Sequence, residues 1–245
     1  MPLEAPLAPA SERVAALNRA YLHHSAVDVL AHALSDAQVG RIALVSSFGA
    51  ESVALLHMVS VVDRSLPVLF LDTEMLFPET LSYQREVSKK LGLTDVHILR
   101  PDRTELFLRD PDGDLHLSDP DACCRLRKVE PLNDALEPFD AWITGRKRFH
   151  GASRTKLDFF ETEAGTDRIK VNPLVHWTRS DVADYITNNR LPRHPLVSRG
   201  YPSVGCMPCT SPVETGEDPR AGRWRGTEKT ECGIHFVNGR AVRAG

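Results

Sequence analysis

The sequence predicts an α/β protein: a doubly wound, mostly parallel sheet with a flexible C-terminal tail. Three observations carry that reading. Short apolar runs at 41–45, 67–71 and 95–99 alternate with helical stretches at 53–62 and 79–91, the βαβαβ order of a parallel sheet. The first two runs end in polar or small residues, Ser46-Ser-Phe-Gly-Ala-Glu-Ser52 and Asp72-Thr73-Glu74, and open α/β sheets bind ligands beyond such strand ends. A chain of 245 residues, 42% hydrophobic and 26% charged, suffices for one large soluble domain. Right-handed crossovers then put helices on both faces of the sheet.

Residues 1–10, rich in Pro and Ala, are expected to be poorly ordered. Ser11 is placed to cap a helix reaching Ser35, with Val14, Leu17, Tyr21, Leu22 and Val29 at helical spacing. Asp36 to Gly40 closes this N-terminal segment, residues 1–40. The main α/β domain is expected over 41–191. In it, the small-residue turn at 46–52 joins a strand to an apolar helix, a geometry that presents free N–H groups to an anion, with Gly49 permitting close approach. It is not a Walker A loop, since G-x-x-x-x-G-K-[ST] is absent. It resembles the PP-loop of the adenine-nucleotide α-hydrolase-like proteins, roughly S-x-G-x-[DE]-S.

Pro78 starts the second helix and Gly92 ends it. A short helix is expected at 103–108. The acidic Asp110-Pro-Asp-Gly-Asp114 lacks EF-hand spacing and reads as a solvated turn. The Cys-Cys segment opens a helix towards Leu136. A strand at 139–144 leads into the basic Gly145-Arg-Lys-Arg-Phe-His-Gly-Ala-Ser-Arg154, positioned to hold phosphate or sulfate. Runs at 157–162 and 168–171 read as a hairpin, and Thr178 or Ser180 caps a helix from near Arg179. After Leu191 the chain turns to Pro, Gly and Arg with little periodicity. Residues 192–245 therefore read as a tail or flap rather than a core element. No internal repeat is evident.

A net charge of −3 argues against general electrostatic binding of nucleic acid. No stretch approaches the roughly 18 apolar residues of a membrane helix. The N-terminus has no signal-peptide pattern, so a cytoplasmic protein is expected. In a reducing compartment, paired cysteines favour metal binding or catalysis over disulfides. Cys123 and Cys124 are adjacent, and Cys206 and Cys209 form a C-x-x-C. Four thiolates suit an iron–sulfur cluster or zinc, and counting leaves both open, although adjacent cysteines do not make a zinc knuckle. Arg125, Arg127 and Lys128 follow the first pair and would offset thiolate charge. Cys232 stands apart in a polar stretch, with Lys229 and His235 each placed to lower its pKa, and reads as a reactive thiol. Arg220 and Arg223 lie on the same segment, which could close over an anionic substrate.

Together, Ser46-Ser-Phe-Gly-Ala-Glu-Ser52, Cys123-Cys-Arg-Leu-Arg-Lys-Val-Glu-Pro-Leu132, Thr144-Gly-Arg146, Gly205-Cys-Met-Pro-Cys-Thr210, Arg220-Ala-Gly-Arg-Trp224 and Glu231-Cys-Gly-Ile-His235 resemble the assimilatory sulfonucleotide reductases. The closer resemblance is to their iron–sulfur, thioredoxin-dependent branch, which acts on adenosine 5′-phosphosulfate (APS). It extends over nearly the whole chain from about residue 40 to 236.

The resemblance implies a [4Fe–4S] cluster on Cys123, Cys124, Cys206 and Cys209 that does not itself deliver electrons. It implies Cys232 as the nucleophile, with His235 in support, and Lys128 between cluster and sulfate. Ser46, Ser47, Gly49 and Ser52 would bind at the loop. Leu71 and Gly145 would meet the adenosine through their backbones, and Arg154, Arg220 and Arg223 would grip the phosphosulfate. Thioredoxin, or glutaredoxin, would be the reductant, with no nucleic-acid or membrane partner. A homo-oligomer is left open. APS is favoured over its 3′-phosphorylated form (PAPS) because all four paired cysteines are present. A dual APS/PAPS reductase is one alternative. A PP-loop tRNA-thiolating enzyme is another, and it would need ATP, tRNA and a broader basic surface.

Overall fold

Alternate residues of β1 (Ile42–Ser46) serve two different cores. Ile42 and Leu44 join one apolar cluster, while Ala43 and Val45 join a second on the opposite face. β2 (Val68–Leu71) repeats the division, with Val68 and Phe70 on one side and Leu69 and Leu71 on the other. Strands buried on both faces read as continuous apolar runs, which is why they stand out in the sequence. The computed structural model describes residues 8–150, 154–227, 229 and 234. Within them β1, β2, β3 (Val96–Leu99), β4 (Ala141–Ile143), β5 (Phe160–Thr162) and β6 (Ile169–Val171) form one sheet in the order β3-β2-β1-β4-β6-β5. All pairs are parallel except β5 with β6, the predicted hairpin. The chain winds outward from β1 through β2 to β3, then returns to β4 on the other side of β1. The switch point of the sheet therefore lies between the C-terminal ends of β1 and β4.

The larger core holds α1 (Ala10–Tyr21), α2 (Ala26–Ala33), α3 (Ser52–Val62), α4 (Pro78–Leu91) and α9 (Arg179–Asn188) against one face. The predicted single helix up to Ser35 is two. Ser25 accepts the Asp28 N–H and caps α2, whereas α1 starts at Ala10 with Pro9 before it and no side-chain cap, so Ser11 is not the N-cap. The Ala10 N–H instead donates to Asp167 at 2.8 Å. Residues 1–7, expected to be poorly ordered, lie outside the described residues. α4 ends at Gly92 in the left-handed region (φ 67°), and Thr178 forms a full capping box with Asp181 at α9.

The smaller core rests on α8 (Glu130–Leu136), through Leu132 and Leu136, with Trp142 from β4. The predicted Cys-Cys helix is one run in three parts: α7 (Pro120–Cys124), a π-helical turn (Arg125–Val129), then α8. Asp119 caps it, accepting from Asp121 N and Ala122 N. Pro131, in the first turn of α8, has no N–H to close an α-helical bond, and the widened turn stands just before it.

Two further expectations are corrected. The acidic turn is not simply solvated. Asp110, which follows α5 (Arg103–Arg109), is buried, and its carboxylate accepts from Arg127 at 2.6 and 3.2 Å and, at 2.9 Å, from the N–H of Leu115, the first residue of α6 (Leu115–Ser118). Burial pushes the Asp110 carboxyl up, but Arg127 and the Leu115 N–H outweigh it and hold the group below the usual range. The stretch after Leu191, read as tail or flap, is folded onto the body through residue 227. His194, Leu196, Val204, Cys206, Thr210 and Trp224 are buried there. Isolated bridges join Leu76 to Cys206 and Thr210 to Arg223.

Candidate active site

The loop between β1 and α3 is folded by its own short side chains. Ser46 Oγ accepts the Phe48 N–H (3.2 Å) and Ser52 Oγ accepts the Gly49 N–H (3.1 Å). Phe48 adopts φ 47° and is fully buried edge-on against Phe70, so the turn is pinned by packing. A Cβ at Gly49 would lie 3.2 Å from the Val204 carbonyl oxygen, which explains the glycine. Across the switch point, Thr144 at the end of β4 donates to Asn172 (2.8 Å) and receives the Arg146 N–H (3.2 Å), fixing the start of the basic loop.

A cavity of about 370 Å³ opens between these two loops. Of the predicted site residues, Ser46, Ser47, Gly49, Ser52, Leu71, Gly145, Arg154, Arg220 and Arg223 all line it. The structure sorts the four basic candidates after Gly145. Arg146, paired with Glu161, Lys147, paired with Glu51 at 2.7 Å, and buried Arg154 all line the cavity, while Arg148 turns to Leu157 O and Asp158. Burial pushes the Lys147 ammonium down, with Glu51 opposing and Arg154 and Arg220 adding to the shift. Glu51, Phe149 and Arg179 also line the cavity and were not singled out from sequence, and Lys147 was read there only as one of four basic candidates. Their signal was confined to one acid within the loop and one lysine among arginines. Asp72 and Thr73, expected at a ligand site, serve a different end. Asp72 pairs with Arg100 (3.0 Å), and Thr73 Oγ1 lies 3.2 Å from Cys206 Sγ.

The cysteines form a buried set beside this cavity. Cys123, Cys124 and Cys206 are buried and Cys209 is half-buried; all four are free thiols. The Cys123 thiol is pushed up to about 11, chiefly by burial and further by Cys206 and Cys209, against Arg127 and Lys128. Cys209 is raised by burial and Cys206, against Lys128, Arg223 and Lys229. Lys128 is buried and its charge acts on members of both cysteine pairs. Lys229 donates to Asp121 (2.5 Å) and acts on Cys124. Arg223 lies over the Trp224 ring (4.4 Å) and fills the space a Cβ on Gly205 would take, 2.3 Å from its Nη2.

Among the described residues, no group of three or more His, Cys, Asp or Glu is arranged to hold a metal ion. The donor set nonetheless fits a cluster in its chemistry: four thiols from two chain segments, with Arg127, Lys128, Arg223 and Lys229 acting on them. The buried Nε of Arg223 and Nε1 of Trp224 have no acceptor among the described residues. Such orphaned donors are costly, and Arg223 is one of the cations acting on Cys209. Cys232 and His235 lie outside the described residues. Between them, Ile234 packs on the smaller core and lines the cavity.

A mostly parallel sheet with an anion-seeking loop at its switch point defines a nucleotide-binding α/β protein of the adenine-nucleotide α-hydrolase-like class. Residues 41–212 match the phosphoadenosine phosphosulfate reductase domain, and the chain belongs to that family. It is 54% identical over 197 residues to an adenosine 5′-phosphosulfate reductase of Chelativorans sp., covering 80% of each chain. It is 48% identical over 224 residues to one of Mesorhizobium japonicum, covering 91% of this chain and 87% of that one. Among solved structures it resembles the phosphoadenylyl-sulfate reductase of Candida auris in its phosphate complex, with TM-score 0.71 and 28% identity, covering 85% of this chain and all of the other.

Proposed function

We propose that the chain reduces adenosine 5′-phosphosulfate to sulfite and AMP in the cytoplasm, within assimilatory sulfate reduction and cysteine biosynthesis. One observation carries this reading: Arg223 lines the nucleotide-sized cavity and its charge also acts on Cys209, so anion site and cysteine set are contiguous. The names of the relatives support the same substrate.

In this reading the loop N–H groups of 46–52 and the α3 N-terminus hold the phosphate, and Arg154, Arg220 and Arg223 orient the sulfo group. The Cys232 thiolate attacks sulfur, the bond from sulfur to the bridging oxygen breaks, and AMP departs with the electron pair. This leaves an S-sulfocysteine. A thioredoxin or glutaredoxin thiolate then attacks the Cys232 sulfur, and sulfite leaves with the S–S pair. The second thiol of a dithiol reductant resolves the mixed disulfide, supplying two electrons in all. His235 supports Cys232, and Lys128 carries positive charge between the cysteine set and the sulfo group. Cys123, Cys124, Cys206 and Cys209 would hold a [4Fe–4S] cluster. Bound there, it would order the two cysteine segments and set the local electrostatics without passing electrons to sulfur. No helix among the described residues is long and apolar enough to cross a membrane.

The test is anaerobic turnover of the purified, iron-loaded protein with thioredoxin and APS. Sulfite and AMP in equal amounts are expected, and absence of sulfite refutes the reading.

A further inference from the structure

An anion site should repel carboxylates, yet the loop that meets the anion carries one. Of the described residues lining the cavity, Arg146, Lys147, Arg154, Arg179, Arg220 and Arg223 are cationic and only Glu51 is acidic. Glu51 occupies the N-cap position of α3, where a helix attracts negative charge from a ligand. Its side chain is 34% exposed, and its Oε2 lies 2.7 Å from Nζ of Lys147, whose own side chain is 3% exposed. Lys147 in turn feels Arg154 and Arg220, the cations assigned to the phosphosulfate.

Glu51 acts on a bound anion in two ways. It adds a negative charge to the cavity wall, and it engages a cation that would otherwise face the ligand. The cavity is roughly 9 Å across if taken as a sphere, against a Debye length of about 8 Å at physiological salt, so solvent ions weaken the carboxylate's effect across the whole cavity but little on an anionic group bound in its nearer half. Satisfying a buried lysine does not by itself require the acid to border the cavity.

We propose that Glu51 is a specificity-determining residue that limits how much negative charge the pocket accepts, favouring a nucleotide with a phosphosulfate alone over one with an additional phosphate. A further phosphate brings about 1.5 to 2 more negative charges at neutral pH. This rests on the sulfonucleotide reading above.

The experiment compares wild type with Glu51→Gln in sulfite release from APS and from PAPS, with thioredoxin, on iron-loaded protein. The ratio of kcat/KM for PAPS to that for APS is expected to rise at least fivefold in the variant. A smaller change, including an equal loss on both nucleotides, overturns the proposal, because a merely structural Glu51 would affect both alike. Binding of adenosine 3′,5′-bisphosphate relative to AMP, measured by calorimetry, should shift in the same direction and needs no turnover. If wild type releases no sulfite, the activity reading fails while this binding ratio still decides the role of Glu51. Should Glu51→Gln not fold, Glu51→Ser, which removes the same charge and suits a helix N-cap, is held to the same fivefold criterion.

Discussion

Arg127 holds Asp110 from inside the cysteine-bearing helix, with Nη2 2.6 Å from the carboxylate and Nη1 3.0 Å from the Thr73 carbonyl oxygen. Thr73 carries its hydroxyl to within 3.2 Å of Cys206 Sγ. One guanidinium thus ties the helix of Cys123 and Cys124 to the loop that supports the other cysteine pair.

Asp110→Ala should therefore do more than remove a surface charge. It leaves a buried guanidinium without its counter-ion, a loss of about 3–5 kcal/mol. Urea denaturation should report it, and iron content per chain should fall along with stability. An unchanged midpoint would show that water compensates Arg127.

The two cysteine classes should separate cleanly. Cys206→Ser is expected to lose the iron chromophore and activity together. Cys232→Ser should keep the chromophore and release no sulfite. Visible absorption and sulfite assay on the same samples decide it, and sulfite release by Cys232→Ser at wild-type rate would remove that residue from the mechanism.

Gly205 and Gly222 make a contrasting pair. A Cβ on Gly205 meets the mobile end of Arg223, whereas one on Gly222 meets the Ser211 carbonyl oxygen at 2.1 Å. Gly205→Ala should displace Arg223 from the cavity and raise KM for the nucleotide about tenfold, the scale of one lost charged hydrogen bond, at nearly unchanged stability. Gly222→Ala must move backbone and should lower the melting temperature. Equal effects of the two on stability would contradict this division.

His194 supplies a pH signature. It is buried, accepts the Leu196 N–H at Nδ1, and lies 3.0 Å from Thr80 through Nε2. Burial pushes its pKa down from 6.5 to about 4, with Glu79 opposing. The unfolded chain binds the proton first, so the stabilisation is complete above about pH 6.5 and is lost as pH falls towards 4. By pH 5 the loss is on the order of 2 kcal/mol. In urea titrations at pH 7.5 and pH 5, wild type should lose more stability than His194→Asn. Parallel losses would show that other groups dominate acid sensitivity.

The parallel sheet was legible because its central strands β1 and β2 are buried on both faces and each is followed by a helix. The loop at 46–52 was legible for the same reason: strand, small residues, helix. Asp110 was misread because its partner lies seventeen positions away, and locally it shows only polarity. The segment after Leu191 looked like a tail because it has no periodicity. It is held by isolated bridges, close glycine contacts and buried single residues such as Trp224, none of which has a period to detect. The pairing of Glu51 with Lys147 was not legible because it spans 96 residues and joins two loops that meet only once β1 and β4 are neighbours.

The helical run from Pro120 to Leu136 has its cysteines at one end and its sheet contacts at the other. Leu132 and Leu136 cover Trp142, which donates to Glu163 at 3.1 Å and lies under Lys170 at 5.0 Å. Maturation at the cysteine end should therefore be audible at the far end of the same rod. With Trp177 and Trp224 replaced by Phe, the emission of Trp142 would act as a reporter of iron loading before any substrate is added.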